Sequence, residues 1–291
     1  MSFGEEIRDA VKGLRQRVGP ATVAIGRDAR GSGIVIAAGQ VLTNAHNLRD
    51  HTTTVRFGDG RVSPATVAGA DVDGDLVVLT VDTAGAHPIE WADAAPDQGD
   101  LVFTVARDLS SERVTLGFVS AVNRSFRGPR GRRIDGSVEH TAPLARGSSG
   151  GPLVDGEGRL LGLNTHRSGR GFYLAVLADA SLRARVEELA QGRFVERRRL
   201  GVAIVPSRVA NRLRRAVGLP ERDGLLVRGV EQGSPAAAAG LREGDLLVRA
   251  RDRGLVEPDD LFAVIDGAAP EISFDVVRGL EELTVTVSFA S

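Results

Sequence analysis

The chain has 291 residues, of which 42% are hydrophobic and 26% charged, and its formal net charge is -1 at pH 7. This length is long for one ordinary domain and favours two, with enough apolar residues to build a buried core in each. The small net charge indicates no general attraction to nucleic acid or to anionic membranes. The absence of cysteine excludes disulfides and cysteine-based metal sites.

The first predicted element is an amphipathic helix over residues 4–18, with Ser2 and Glu5 forming a capping box at its start. Its apolar face consists of Ile7, Val11, Leu14 and Val18. The N-terminus lacks the basic region and apolar core of a signal peptide, and no run of 18 apolar residues follows. From the sequence as it stands we expect a cytoplasmic protein without a membrane span.

From Ala21 to about Val176 the pattern changes to short β-type runs separated by turns. The clearest predicted strands are residues 22–25, 33–37, 53–57, 76–81, 101–105, 115–122 and 160–163. Many short strands over this length are typical of an all-β barrel or sandwich. A second helix is predicted where Leu182, Val186 and Leu189 recur at helical spacing and Gly192 ends the pattern.

The charged stretch 193–199 is typical of a domain junction. Beyond it the pattern predicts a small α+β module. Its predicted strands are residues 200–205, 224–230, 246–250, 272–277 and 283–289, and its predicted helices are residues 234–240 and 258–266. We therefore divide the chain into domains at residues 1–192 and 195–291.

The segment 147–153 (GSSGGPL) surrounds Ser149 with glycines. A serine hydroxyl becomes a nucleophile when a base accepts its proton and backbone N–H groups stabilise the developing oxyanion. Glycines permit the sharp turn that exposes both the hydroxyl and those N–H groups. Taken alone, the segment is modest evidence for such a site, because Gly-Ser-rich turns are also common in flexible linkers.

Two further segments carry groups that complete such a site. Residues 41–46 (VLTNAH) place His46 directly after an apolar strand, and residues 71–79 (DVDGDLVVL) place acids before a buried strand. Asp71, Asp73 and Asp75 are rival candidates for the acid that orients the histidine.

The order of these segments resembles the HtrA/Deg family of trypsin-like serine proteases. The similarity extends through residues 115–121 (TLGFVSA), 162–165 (GLNT) and 234–245 (SPAAAAGLREGD). It implies a mainly β chain, with a chymotrypsin-like double β-barrel followed by a small α+β PDZ domain. It also implies a serine endopeptidase that acts on unfolded or exposed polypeptides in protein quality control, needs no cofactor or metal, and forms a homo-oligomer, by family resemblance a trimer.

The resemblance assigns roles residue by residue. Ser149 is expected to be the nucleophile, His46 the general base and Asp75 the acid that orients it, because the family places that acid directly before the strand. The N–H groups of Gly147 and Ser149 are expected to form the oxyanion hole. Ser148 departs from the family, which often has asparagine there, and residues 106–108 (ARD) replace its usual Gly-Asn-Pro turn.

In this fold the base of the specificity pocket lies six residues before the nucleophile, which is Pro143 here. The segment with Leu163, Asn164 and Thr165 is expected to line the same pocket. Without a carboxylate at Pro143, a substrate arginine or lysine would have no partner for its buried charge. We therefore expect cleavage after small or medium aliphatic residues.

A PDZ domain binds a peptide C-terminus as an added strand, with backbone N–H groups holding the carboxylate. By resemblance this loop contains Leu200, Gly201 and Val202. Arg199 stands where the family commonly has an aromatic residue, and either helps to hold the carboxylate or is a solvated junction charge.

The remaining groups receive less specific interpretations. Five arginines in the stretch 124–133 are predicted to lie on a solvated loop, because a nucleic-acid site would need more stacking partners than Phe126. The other histidines, His51, His87, His140 and His166, are predicted to be surface or loop residues. A rival function for the whole chain is a catalytically silent peptide-binding chaperone or scaffold, which the intact set of His46, Asp75 and Ser149 disfavours.

Overall fold

The structure is a computed structural model that describes residues 2–109, 111–267 and 269–289. The chain divides into two compact units, and the boundary falls between Val195 and Glu196. The predicted first domain, ending at residue 192, therefore lacks three residues that belong to the first unit. No helix in the described part of the chain is long and apolar enough to cross a membrane.

The first unit begins with helix α1 (Phe3–Arg17). The Glu5 carboxylate accepts a hydrogen bond from the Ser2 backbone N–H at 2.7 Å, which satisfies a donor that the first turn leaves unpaired. The apolar face of α1 reaches the core through Leu14, which is fully buried, and Val18 follows directly after the helix.

Six strands form the first barrel: β1 (Thr22–Ile25), β2 (Gly31–Ala37), β3 (Gln40–Thr43), β4 (Thr52–Arg56), β5 (Val62–Asp71) and β6 (Leu76–Val81). They are antiparallel in the order β5-β4-β1-β2-β3-β6, and β5 also pairs with β6, so the sheet closes on itself. All four residues of β1 are buried, as expected for a strand between two neighbours in a small barrel.

The second barrel contains β7 (Leu101–Arg107), β8 (Glu112–Arg127), β9 (Arg133–His140), β10 (Pro152–Val154), β11 (Leu160–Arg167) and β12 (Tyr173–Leu177). It is closed in the order β10-β11-β12-β9-β8-β7. This pair of β-barrels is the chymotrypsin-like fold that the sequence predicts.

Strands β8 and β9 correct the prediction of a solvated loop over residues 124–133. Both strands extend beyond the barrel as a hairpin whose turn covers residues 128–132. Arg132 in this turn is buried and lies 3.4 Å from the carboxylate of Asp73, which is also buried. The hairpin tip therefore contacts the loop that leads into β6.

The first unit ends with helix α2 (Ala180–Ala190) and the short strand β13 (Phe194–Val195). The Asp179 side chain caps α2 by accepting from the Leu182 N–H at 2.8 Å. Strand β13 pairs in parallel with the end of β5, opposite Ala70 and Asp71. A side chain at Gly69 would lie 2.3 Å from the carbonyl oxygen of Leu189, so only glycine permits this close approach.

The second unit is a sheet with helices against it. Its elements are β14 (Val202–Val205), α3 (Ser207–Ala216), β15 (Leu225–Val230), α4 (Pro235–Ala238), β16 (Asp245–Ala250), β17 (Arg253–Gly254), α5 (Pro258–Ile265), β18 (Glu271–Arg278) and β19 (Glu281–Ser288). The strand order β14-β15-β16-β18-β19 leaves β14 at one edge. Phe274, Leu261 and Val202 belong to one apolar cluster, so α5 and β14 share a core.

Candidate active site

His46 and Asp75 are brought together by two paired strands of the first barrel. His46 lies in a 3-10 turn directly after β3, Asp75 directly precedes β6, and these strands pair Thr43 with Val77. The His46 Nδ1 lies 2.8 Å from Asp75 Oδ2 and 3.0 Å from Oδ1. The His46 backbone N–H also donates to Asp75 Oδ1 at 3.1 Å.

Asp75 is held in a conformation that few non-glycine residues adopt. Its φ is 58°, in the left-handed region, and its side chain is buried. Its carbonyl accepts from the Ala45 N–H at 3.2 Å and from Asn44 Nδ2 at 3.1 Å. The Thr165 hydroxyl donates to Asp75 Oδ2 at 2.9 Å. Hydrogen bonds to its backbone carbonyl and to its carboxylate therefore hold Asp75 in place, with the carboxylate facing His46.

The rival acids have other partners. Asp71 Oδ1 accepts the Gly74 N–H at 2.8 Å, which shapes the turn before Asp75. Asp73 faces Arg132 on the β8–β9 hairpin. Of the three acids, only Asp75 has a described contact with His46.

Ser149 lies in the connection between β9 and β10, where Gly147 and Gly150 have φ values of 85° and 86°. A Cβ at Gly150 would lie 2.2 Å from the Ser32 carbonyl oxygen, so this turn requires glycine for space as well as for its φ. The Ser149 hydroxyl donates to the Thr165 carbonyl at 3.0 Å. Hydrogen bonding to His46 would require this hydroxyl to rotate away from Thr165.

The loop also carries unused backbone donors. Within the described residues, neither the Gly147 N–H nor the Ser149 N–H donates to a protein acceptor. The intervening Ser148 N–H does donate, to the Ala145 carbonyl at 3.2 Å. Both Gly147 and Ser149 are partly exposed.

Two residues of the first barrel, Ser32 and Asn47, hold the carbonyls of Gly147 and Ser149, and Thr43 holds both of these residues. The Ser32 hydroxyl donates to the Gly147 carbonyl at 2.9 Å, and the Ser32 N–H donates to the Ser149 carbonyl at 2.8 Å. Asn47 Nδ2 donates to the same Ser149 carbonyl and to the Thr43 hydroxyl, each at 2.9 Å. The Thr43 hydroxyl in turn donates to the Ser32 carbonyl at 2.7 Å.

We call Ser32, Thr43 and Asn47 the clamp. The sequence alone indicates these residues only in part. Ser32 lies in the glycine-flanked segment before His46, and Thr43 and Asn47 are within four residues of that histidine. Their proximity to the catalytic candidates is evident from the sequence, but their contacts with the nucleophile loop depend on how the two barrels pack.

The predicted pocket residues fall into two environments. Leu163, Asn164 and Thr165 are buried on β11, where a bulge at Thr165 interrupts the pairing with β12. The Asn164 carbonyl accepts the Gly150 N–H at 2.7 Å, which joins β11 to the nucleophile turn. Pro143 is exposed, and its carbonyl accepts from the Thr115 hydroxyl. Its role as a pocket base stays a prediction.

The prediction that His140 is a surface or loop residue is wrong. His140 ends β9, is fully buried, and stacks on Tyr173 with ring centroids 5.8 Å apart. Its Nε2 lies 3.0 Å from Asn164 Oδ1. Burial lowers the pKa of His140 to about 4, although the hydrogen bond to Asn164 opposes this shift. His140 is thus a neutral residue behind the nucleophile turn.

The other three histidines are exposed, as predicted. His166 stacks on Phe126 with an interplanar angle of 7°, and His51 meets the ring of Phe194 edge-on. Among the described residues, no group of three histidine, aspartate or glutamate side chains is placed to hold a metal ion.

The loop predicted to bind a peptide carboxylate lies before β14. Gly201 has a φ of 81°, and its carbonyl accepts the Glu231 N–H at 2.8 Å. In the described part of the chain, the N–H groups of Leu200 and Gly201 donate to no protein acceptor. Arg199 forms an ion pair with Glu231 at 2.9 Å, so its guanidinium is already partnered.

Comparison with known proteins gives consistent matches. Residues 31–163 match the family model described as a trypsin-like peptidase domain. The chain is 28% identical over 279 residues to "Serine protease HTRA2, mitochondrial" of Drosophila virilis and 27% identical to its Drosophila grimshawi counterpart. Each match covers 89% of this chain, and the chain spans 66% and 65% of those relatives.

Solved structures agree over both units. The HtrA-type protease AlgW with a decapeptide matches with a TM-score of 0.63 at 23% identity, over 95% of this chain and 97% of that chain. The serine endoprotease from Yersinia pestis matches with a TM-score of 0.60 at 25% identity, over 95% and 96%. Together with the arrangement of His46, Asp75 and Ser149, these matches lead to one conclusion: the chain is similar to a trypsin-like peptidase domain over residues 31–163 and to HtrA-type serine proteases over most of its length.

Proposed function

We propose that this protein is a serine endopeptidase that hydrolyses peptide bonds in unfolded or exposed polypeptides. The observation that carries the proposal is the 2.8 Å contact between His46 Nδ1 and Asp75 Oδ2, made beside a glycine-flanked Ser149. Nδ1 is occupied by the carboxylate, so the neutral ring presents its other nitrogen, Nε2, as a base.

In the proposed mechanism, Ser149 Oγ attacks the substrate carbonyl while His46 Nε2 accepts the hydroxyl proton. His46 then gives that proton to the leaving amine, and the acyl group stays on Ser149. Water, activated by the same nitrogen, hydrolyses the ester and restores the serine. Asp75 keeps the proton of the neutral ring on Nδ1 and stabilises the imidazolium that forms in each half-reaction.

The negative charge of the tetrahedral intermediate needs donors that are already in place. The free N–H groups of Gly147 and Ser149 fit this need, because donors without a protein acceptor lose no existing bond when the oxyanion forms. Ser32 and Asn47 support the same geometry by restraining the Gly147 and Ser149 carbonyls.

One observation fits the rival function of a catalytically silent peptide-binding chaperone as well as it fits a resting protease. The Ser149 hydroxyl donates to Thr165 rather than to His46, which is what a resting or silent site would also display. Free serine proteases often have long or misaligned nucleophile contacts that tighten with substrate, so an active protease is expected to show this feature before substrate binds.

Digestion of casein by the purified protein separates the two functions, with Ser149→Ala as the control. We expect the wild type to release peptides and the variant to lose turnover on the order of 10⁶-fold, because the nucleophile is removed while the fold stays intact. Labelling of Ser149 by a fluorophosphonate probe would show directly that its hydroxyl is activated. Absence of both digestion and labelling would support the silent binder.

We further propose that the second unit is a PDZ domain that binds peptide C-termini. Its support is the edge strand β14, available for pairing with an added strand, next to the N–H groups of Leu200 and Gly201, which have no acceptor among the described residues. Val202 and Ile204 on this strand are partly buried against the domain core and would border a cleft for an apolar terminal side chain.

Matched peptides test this site better than a glycine substitution. A Cβ at Gly201 would lie 2.2 Å from Ser234 Cβ, so Gly201→Glu would disturb the loop whether or not a peptide binds there. Calorimetric titration of the full-length Ser149→Ala protein avoids both this problem and digestion. We expect apolar peptides with a free carboxylate to bind and their C-terminally amidated forms to bind much more weakly. Equal binding of both forms would reject the site.

Our proposals for the assembly and the biological role rest on the resemblance to HtrA/Deg proteases. We propose a homotrimer built on the first unit and a role in protein quality control. Light scattering coupled to size-exclusion chromatography would give the number of copies per particle, and a monomer at micromolar concentration would contradict the trimer.

A further inference from the structure

Three segments surround the position where a substrate carbonyl would meet Ser149. The β1–β2 turn, residues 26–30, lies against the nucleophile loop, since a Cβ at Gly147 would be 2.8 Å from the Ala29 carbonyl oxygen. The second segment is the loop 143–147 itself. The third, residues 166–172, continues β11 directly from Thr165, whose carbonyl accepts from the Ser149 hydroxyl. We call these three segments the cleft rim.

The cleft rim carries five exposed arginines, which are Arg27, Arg30, Arg146, Arg167 and Arg170. None of the five has an ion-pair partner within the described residues, and Arg167 only lies over the Tyr173 ring at 5.6 Å. Other arginines of the first unit are commonly paired, as in the contacts of Arg107 with Glu112 and Arg132 with Asp73. Five arginines without an ion pair therefore lie on the segments around the candidate nucleophile, although others without one, such as Arg49 and Arg183, lie outside the rim.

Acidic groups near the rim do not offset this charge. Asp28 is the one acid within the three segments. Glu139 reaches the third segment by accepting from the Ser168 hydroxyl, but it also accepts from the Ser120 hydroxyl and lies 3.7 Å from Arg124. The whole chain is nearly neutral, with a net charge of -1, so the positive rim is a local feature.

We propose that the cleft rim selects acidic polypeptide segments, with carboxylates on either side of the bond that Ser149 cleaves. This inference rests on the proposed peptidase function and adds a substrate class to it. A chain whose scissile carbonyl lies at Ser149 extends by about 3.3 Å per residue. It must cross the rim within a few residues in each direction, which brings its side chains close to the segments that carry these arginines.

The physical basis is long-range attraction together with exposed ion pairs. A cluster of like charges raises the local concentration of an oppositely charged segment and its association rate. Each exposed pair contributes little on its own, and salt screens it, so the effect depends on several arginines acting together. The selection is thus expected in kcat/KM and should be sensitive to ionic strength.

The test compares three quenched fluorogenic decapeptides that share a central valine before the scissile bond. They differ only at positions two to four residues from that bond, which carry glutamate, the near-isosteric glutamine or lysine. In low salt we expect the glutamate peptide to be cleaved with roughly tenfold higher kcat/KM than the glutamine peptide, and the lysine peptide to be the poorest. At 0.5 M NaCl the kcat/KM of the glutamate peptide should be less than about twice that of the glutamine peptide.

A triple variant, Arg27→Gln, Arg30→Gln and Arg170→Gln, removes charge without touching the nucleophile loop or the Arg167–Tyr173 contact. We expect it to lower the glutamate-to-glutamine ratio at least threefold. The matched control is Arg8→Gln on the N-terminal helix, which removes an exposed arginine outside the rim and should leave the ratio unchanged.

The outcomes of these experiments distinguish a failure of the proposed acidic preference from a failure of the peptidase function on which it rests. Cleavage of casein and of all three peptides at similar rates, independent of salt, would overturn the acidic preference and leave the peptidase function standing. Loss of the preference in Arg8→Gln as well as in the triple variant would also overturn it. Failure to cleave casein or any peptide, with no fluorophosphonate labelling, would refute the peptidase function and this inference with it.

Discussion

The two barrels differ in whether the groups that they contribute to the candidate active site already make the hydrogen bonds that catalysis needs. In the first barrel, His46 and Asp75 are already in contact, and the carboxylate also accepts a hydrogen bond from Thr165. In the second barrel, the Ser149 hydroxyl donates to a backbone carbonyl, and the donors proposed for the oxyanion have no acceptor in the part of the chain that the structure describes.

This difference follows from how each half is built. His46 and Asp75 sit at the ends of two strands that pair with each other, so one barrel fixes both. The nucleophile loop has contacts from Ser32 and Asn47 across the barrel interface as well as from β11. A change in barrel packing would therefore affect the nucleophile more than the acid–base pair, and the following predictions test that asymmetry.

The largest effect is expected from Asp75→Asn, which we predict to lower kcat about 10⁴-fold. Asparagine tolerates the positive φ of this position, so the backbone should persist while the amide favours the wrong histidine tautomer. Steady-state kinetics on casein or a fluorogenic peptide measure this. The control is Asp73→Asn, whose carboxylate faces Arg132, and a loss of kcat as large as that of Asp75→Asn would argue against our assignment of the acid.

The next prediction concerns the acid stability of the first unit. The pKa of His140 is lowered to about 4, whereas an unfolded histidine titrates near pH 6.5. Between these values the unfolded state binds the extra proton, so stability falls as the pH falls from about 6.5 to 4. The maximal loss from this group is about 3 kcal/mol.

Urea denaturation followed by tryptophan fluorescence measures this loss, because the single tryptophan, Trp91, packs against the core of the first unit. His140→Gln should flatten the dependence of stability on pH, and the exposed His87→Gln should not. An equal pH dependence in the wild type and His140→Gln would show that this buried group is not its cause.

The smallest predicted effect is that of Ser32→Ala, which removes the hydroxyl bonded to the Gly147 carbonyl. Because Ser32 supports the oxyanion donors without touching substrate, we expect kcat to fall roughly tenfold to a hundredfold with little change in KM. Ser137→Ala is a matched control, since the Ser137 hydroxyl is buried without a hydrogen-bond partner in the described structure. Unchanged kcat in Ser32→Ala would show that the clamp does not position the loop.

Local sequence patterns predicted most of the fold. Strands β1 and β6 have the predicted bounds, because runs of buried apolar residues between turns define them clearly. Helix α3 was missed, since its buried residues are Ser207, Ala210 and Arg214, which give no apolar periodicity. The β8–β9 hairpin was taken for a loop because most of its outer residues are exposed and charged, so the strand pairing there leaves no apolar alternation in the sequence.

The candidate site was predictable only in its chemistry. The residue types at positions 46, 75 and 149 were evident from their flanking segments, as was the choice between the rival acids once the family was recognised. The burial of His140 and the hydrogen bond from Ser149 to Thr165 could not be predicted from the sequence, because both depend on which strands of the second barrel become neighbours.

Strand β13 has a mechanical consequence. Its two residues pair with the end of β5, whose last residue, Asp71, begins the turn that leads to Asp75, and the second unit starts at the very next residue, Glu196. Tension applied to the polypeptide from the second unit would therefore be borne first by this short bridge. A truncation ending at Gly192 would remove the bridge as well as the second unit, whereas one ending at Val195 would remove the second unit alone.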